Sequence, residues 1–109
     1  MANSYKFFGK ALASASETSI LTAASGESLI LKSIRVTNNT ANTPTISMDV
    51  LDSSQSNTEF TILNTQSLAA NTSVEILTVP LVLEKSDALK ATISSTDSIH
   101  IGLSFLSIT

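Results

Sequence analysis

His100 is the only histidine of the chain, Arg35 the only arginine, and there is no cysteine. Imidazole is the side chain best suited to moving protons near neutrality, and a hydrolytic triad would need it beside an activated Ser and an Asp. Ser and Asp are so frequent here that a partner of each kind could be drawn by chance. His100 itself stands at an even position between the apolar odd positions Ile99, Ile101 and Leu103. Alternation of that kind turns the imidazole to the solvent face of a strand, so no catalytic residue is assigned and the chain is expected not to be an enzyme.

Metal and cofactor chemistry fares no better. Asp49 with Asp52, or Asp87 with Asp97, could begin a Ca²⁺ site, but no D-x-[DN]-x-[DN]-G succession follows, and isolated loop acids more often form turns. Without Cys there is no thiolate ligand, no nucleophilic thiol and no disulfide framework. Gly9, Gly26 and Gly102 are scattered and build no phosphate-cradling loop. No metal and no cofactor is expected. Asn38-Asn39-Thr40 and Asn71-Thr72-Ser73 match the glycosylation triplet, as chance allows in a chain this rich in Asn and Thr.

Charge and length narrow the field further. Six basic residues and a pI near 4.8 cannot supply a basic stripe, which excludes nucleic acid as a partner. The 109 residues suffice for one domain, and a mean hydropathy of +0.27 with a net charge of −3 predicts a folded core rather than disorder. Runs such as Leu29 to Leu31 and Leu81 to Leu83 fall far short of the ~18 apolar residues of a membrane helix. The N-terminus shows no basic region leading into an apolar one, so neither a transmembrane segment nor a signal peptide is expected.

The aromatics are the one uneven feature. There is no Trp, and of one Tyr and four Phe, three (Tyr5, Phe7, Phe8) crowd near the N-terminus. They either form a first strand with one face in the core, or sit on an arm running from Met1 to about Thr18 that anchors a neighbouring subunit. Tyr5, Phe7 and Phe8 are therefore the candidate partner-binding residues. A small domain without disulfides, whose Ser/Thr-covered strands carry few lysines to guard their edges, is expected to be a homo-oligomer.

These residues must be positioned by strands. Ile46, Met48 and Val50 alternate with polar residues, and the pattern recurs in Glu59 to Ile62, Ser73 to Ile76, Leu89 to Ile93 and Ile99 to Phe105. The apolar set moves from odd positions at Leu29 and Leu31 to even ones at Ile34 and Val36, which demands a bulge near Lys32 and Ser33. A similar slip is expected after Phe105, before Leu106 and Ile108. Turns fall at 38–44, 52–58, 69–72, 85–87 and 94–98, where Asx and Ser/Thr side chains can bond their own backbone. The segment 10–19 is rich in Ala and Ser with weak periodicity and is expected to be extended. The pattern predicts an all-β fold: a single antiparallel β-sandwich of seven or eight strands, jelly-roll-like, over residues 19–109, with an extended N-terminal arm or first strand over 1–18. Alternation alone leaves jelly-roll and immunoglobulin-like strand orders both open.

Read as a whole, the chain resembles small virion structural proteins of tailed bacteriophages. The resemblance runs through Tyr5-Lys6-Phe7-Phe8-Gly9-Lys10, Thr18-Ser19-Ile20-Leu21-Thr22 and Gly26-Glu27. It continues in Lys32-Ser33-Ile34-Arg35-Val36-Thr37-Asn38-Asn39, Leu68-Ala69-Ala70-Asn71-Thr72-Ser73, Leu83-Glu84-Lys85-Ser86-Asp87-Ala88-Leu89 and Ser104-Phe105. These are packing and turn motifs, and Ser86 departs from the Gly that commonly precedes the Asp of the late turn. The resemblance implies a passive, many-copy role in the virion. In its decoration or cement form the partners are other copies, a trimer favoured, and the major capsid protein, whose subunits it bridges on the outer shell. A neck, collar or tail-fibre/baseplate adaptor is the alternative reading. A glycan-binding adhesin module is a weaker one, because a chain without Trp offers little aromatic platform for a sugar.

Overall fold

The alternating segments become nine strands in a computed structural model, which describes residues 2–109. They are β1 (Asn3–Leu12), β2 (Thr18–Thr22), β3 (Ser28–Asn38), β4 (Thr45–Asp52), β5 (Thr58–Ser67), β6 (Ser73–Glu75), β7 (Leu81–Leu83), β8 (Ala88–Ile93) and β9 (Ile99–Ile108). One 3-10 turn, Ser53–Gln55, opens the β4–β5 connection, with Asp52 accepting from the Ser54 N–H at its start. Segment 10–19 is extended, as its composition predicts, and Met1 of the expected arm lies outside the described residues.

Two antiparallel sheets face each other. One runs β1-β9-β3-β6, with β7 also beside β3, and the other runs β2-β8-β4-β5. First therefore pairs with last, β2 with β8, β3 with β6 and β7, and β4 with β5, so the chain is one long hairpin rolled into a sandwich, which is jelly-roll order. Strand order, open from alternation alone, is thereby settled. The count exceeds eight because one strand position is split: β6 lies opposite Arg35 to Thr37 and β7 opposite Leu29 to Leu31. Pro80, which has no N–H to give a ladder, stands in the interruption.

The core forms where the inner positions of both sheets meet. Leu29, Leu31, Ile34, Val36, Leu103 and Ile101 from one sheet and Ile46, Met48, Leu89 and Ile93 from the other are fully or almost fully buried. The switch of face within β3 is real: its register with β9 shifts between Leu31 and Ser33, leaving Lys32 as the extra residue. The second expected slip is absent. Pairing with β3 stays regular from Phe105 to Ile108, and Ser107, not Leu106, continues the inward row. A buried serine hides that continuity in sequence; it is tolerated because its hydroxyl donates to the Glu27 carboxylate.

Candidate functional site

β1 is the element on which the candidate residues converge, and its backbone decides what it can offer. Ala2 and Thr109 exchange both backbone hydrogen bonds, at 3.2 and 2.9 Å, and pairing continues without a shift from Asn3↔Ile108 to Leu12↔Ile99. In an antiparallel ladder bonded and non-bonded pairs alternate, so the even residues of β1 bond to β9. Asn3, Tyr5, Phe7, Gly9 and Ala11 therefore turn their N–H and C=O groups outward, to an edge that no strand covers among the described residues. The strand has no proline, bulge or register shift.

Its side chains are equally uncovered. Every residue of β1 up to Gly9 is exposed, and burial begins only at Lys10 and Leu12. Tyr5 (77% exposed) and Phe7 (72%) stand on the outer face, while Phe8 (37%) projects on the core side opposite Leu103, beyond the cover of the second sheet. Below Phe7 the pair Gly9↔Gly102 leaves the sheet without side chains. A Cβ on Gly102 would meet the ring at 3.1 Å and one on Gly9 at 3.5 Å, so Phe7 fills the gap that the two glycines leave. Beside it runs an open groove of about 530 Å³ lined by Phe7, Gly9, Arg35, Thr37, His100 and Ser104. His100 is exposed there, on the face its position predicts.

The acids fall into different places from those the sequence suggests. Asp52 caps the 3-10 turn. Asp87 is buried, accepting from Ser53 N and Oγ (3.0 and 3.2 Å) and from Glu84 N (3.0 Å), which ties the β7–β8 turn to the β4–β5 connection. Ser86, before it, has φ +66°, the left-handed conformation that Gly adopts most easily. Asp97 accepts from Ser95 Oγ and Asn42 Nδ2 (2.6 and 2.8 Å), which lower its pKa. The pairs Asp49–Asp52 and Asp87–Asp97 are not brought together into a cation site. Asp49 instead lies near Glu17 and Glu59, with Lys90 Nζ 3.8 Å from Glu17 and 3.9 Å from Glu59. A hydrogen bond with Glu59, then burial and the neighbouring negative charges, raise the Glu17 pKa against the pull of Lys90.

Three polar centres escape a sequence reading because their partners are remote in the chain. Asn38 is fully buried; its Nδ2 donates to the carbonyls of Asn42 (2.8 Å), Leu68 and Ala69 (3.2 Å each), and its Oδ1 accepts from Thr40 N and Oγ1. This Asn of the first glycosylation triplet has its amide committed to holding two loops. Glu75 accepts from Ser33 Oγ, Ile34 N (2.8 Å) and Leu77 N (3.3 Å), pinning the β3 bulge to β6; burial pushes its pKa up, and these bonds with the nearby Arg35 bring it below the usual value. Glu27 accepts from Ser107 and from Ala24 N (3.1 Å), and those bonds lower its pKa.

No protein-family model and no curated protein sequence matches the chain. Among solved structures it is similar to a subunit from work titled "Bacillus endospore appendages form a novel family of disulfide-linked pili", with TM-score 0.57 and 11% identity over 97% of this chain and 84% of that one. It also matches the Clostridium thermocellum endo-1,4-β-D-xylanase 10B CBM22-1-GH10 modules complexed with xylohexaose, with TM-score 0.45 and 19% identity over 83% of this chain; it spans only 18% of that chain. The appendage match shows a shared β-sandwich fold.

Proposed function

We propose that the chain is a non-catalytic structural subunit that works in many copies and docks through β1, and that its setting is the virion of a tailed bacteriophage, as a decoration protein bridging major capsid subunits on the outer shell. The observation that carries the docking role is β1 itself: an unbulged edge strand with Tyr5 and Phe7 bare on one face and Phe8 on the other. Exposed aromatics grouped on one element are the usual anchors of a protein interface. Repetition over a particle lets modest contacts of this kind add by avidity. The appendage likeness supports an assembled role, since a sandwich of this kind occurs there in disulfide-linked pili. Lacking Cys, this chain would assemble without covalent links. The phage setting itself rests on the sequence resemblance.

The test is attachment. Phe7→Ala with Phe8→Ala should leave the circular dichroism spectrum unchanged and abolish self-association in light scattering and binding to undecorated capsids. Retention of both would end the anchor role. Copy number separates the places in the virion: decoration requires hundreds of copies per particle, a neck, collar or tail-fibre adaptor only tens.

One observation favours a second reading, a glycan-binding module. Tyr5 and Phe7 lie two residues apart on the same face, beside the groove that holds Arg35 and His100, an arrangement on which sugar rings could stack. Glycan-array binding that is lost in both Tyr5→Ala and Phe7→Ala, in a chain that light scattering finds monomeric, would establish it in place of assembly.

A further inference from the structure

We propose that the partner seated on the free edge of β1 is β1 of a second copy, paired antiparallel about a two-fold axis that passes between Phe7 and the partner's Phe7. This rests on the assembly reading above and specifies its first contact.

The edge presents five residues, Asn3, Tyr5, Phe7, Gly9 and Ala11, each with one outward N–H and one outward C=O, hence ten unpaired groups in a regular row. Such a row is a template for another strand. A two-fold axis perpendicular to the sheet carries each face onto itself, so outward-bonding odd residues meet odd residues of the partner. In the register centred on Phe7, Phe7 meets the partner's Phe7, Tyr5 the partner's Gly9, and Asn3 the partner's Ala11. All ten groups are then bonded.

The lysines select this register. Lys6 and Lys10 share the other face of β1, opposite Phe105 and Ile101. Centred on Phe7, Lys6 lies opposite the partner's Phe8 and Lys10 opposite the partner's Ser4, a cation beside an aromatic ring and a cation beside a hydroxyl. A slip of two residues one way sets Lys6 against the partner's Lys6, and the other way against the partner's Lys10; like charges directly opposite are destabilising. Larger slips leave four or more of the ten groups unbonded. On the outer face, Tyr5 opposite a glycine repeats the use of a ring to cover the bare backbone that Phe7 makes within one copy. The pairing joins the two β1-bearing sheets into one continuous sheet and closes on two copies, where the sequence resemblance favours three.

The free edge also supplies the test. Proline at an odd position removes an outward N–H and none of the bonds from β1 to β9, so Tyr5→Pro should fold, with an unchanged far-ultraviolet spectrum, yet run as a monomer, while Tyr5→Ala keeps the dimer mass. Because the chain has no Cys, single cysteines report the register. Phe7→Cys should form a disulfide dimer on mild oxidation, the two Cα atoms being about 5.5 Å apart in a bonded pair. Asn3→Cys should not link to itself but should link to Ala11→Cys when the two are mixed. Self-linking of Asn3→Cys as fast as that of Phe7→Cys, or a Tyr5→Pro variant that keeps the wild-type oligomer mass, overturns the pairing and leaves assembly standing through another surface. A wild-type chain monomeric throughout a dilution series, with no Phe7→Cys dimer, overturns both.

Discussion

The far edge of the Phe7 ring lies over Gly102, with Cε1 and Cζ only 3.1 and 3.2 Å from where a Cβ on that glycine would stand. The two residues sit on neighbouring strands, one rung of the ladder apart, since Phe7 pairs with Ser104 and Gly102 with Gly9. The glycines thus leave a seat, and the ring occupies it.

Substituting Gly102 tests that relationship. Gly102→Ala must displace the ring by a few tenths of an ångström, and the largely exposed Phe7 is free to move. The variant is expected to unfold at a urea midpoint corresponding to within about 1 kcal/mol of wild type, since the gain of removing a strand glycine offsets the lost ring contact. The Phe7 ring resonances should shift clearly in NMR spectra. Gly9→Ala, whose Cβ would meet the ring at an ordinary 3.5 Å, should leave them nearly unmoved.

Asn38 gives a larger effect with no surface signature. Asn38→Ala strands the Thr40 N–H and the carbonyls of Leu68, Ala69 and Asn42 around a buried gap. Leaving buried groups unsatisfied costs about 1–3 kcal/mol. The urea midpoint should fall accordingly, and hydrogen exchange should rise first in the 39–44 and 68–72 loops. Asn38→Asp keeps the Thr40 contacts but turns an acceptor toward three carbonyls, and should destabilise at least as much.

Alternation made the strands legible because a half-buried sheet forces it, and the β3 bulge was legible because both flanks carry apolar residues whose parity changes. Ser107 misled for the converse reason: a polar residue on an inward row reads as outward unless its partner is known, and Glu27 lies 80 positions away in the chain. Asn38 and Asp87 read as turn residues, which they are, but their burial depends on loops brought in by the roll of the hairpin. The clustering of Tyr5, Phe7 and Phe8 was visible in sequence. That β1 leaves its odd backbone groups free was not, because it follows from the alignment with β9.

Acid should loosen the molecule through Glu27 and Glu75. Both have folded-state pKa values below the ordinary carboxylate range, Glu27 through bonds from Ser107 and Ala24, Glu75 through bonds and a nearby Arg35 that outweigh its burial. A lowered pKa contributes stability that is complete above the unfolded value of about 4.3 and is lost as pH falls through the folded value. Thermal midpoints should therefore fall below about pH 4.3. Glu75→Gln should flatten that fall, at the cost of a lower midpoint at neutral pH because one oxygen acceptor among its three donors is lost.

Glu17 carries the opposite sign. Its pKa is raised by the hydrogen bond with Glu59, by burial and by neighbouring carboxylates, so its ionised form is less stable in the folded chain than in the unfolded one. That unfavourable contribution is absent below the unfolded pKa, grows as pH rises toward the folded value, and is fully present above it. Glu17→Gln removes the charge while keeping a group that can bond to Glu59, and should raise the thermal midpoint at pH 7 but not at pH 3. Lys90→Met takes away the cation that lies 3.8 and 3.9 Å from Glu17 and Glu59 and leaves Asp49, Glu17 and Glu59 uncompensated. It should lower the midpoint at pH 7, and combining it with Glu17→Gln should recover part of the loss. Because the cluster is partly solvated, these shifts should shrink as salt is added. A Glu17→Gln midpoint that is unchanged at pH 7 in low salt would show that the carboxylates are too far apart in solution to repel.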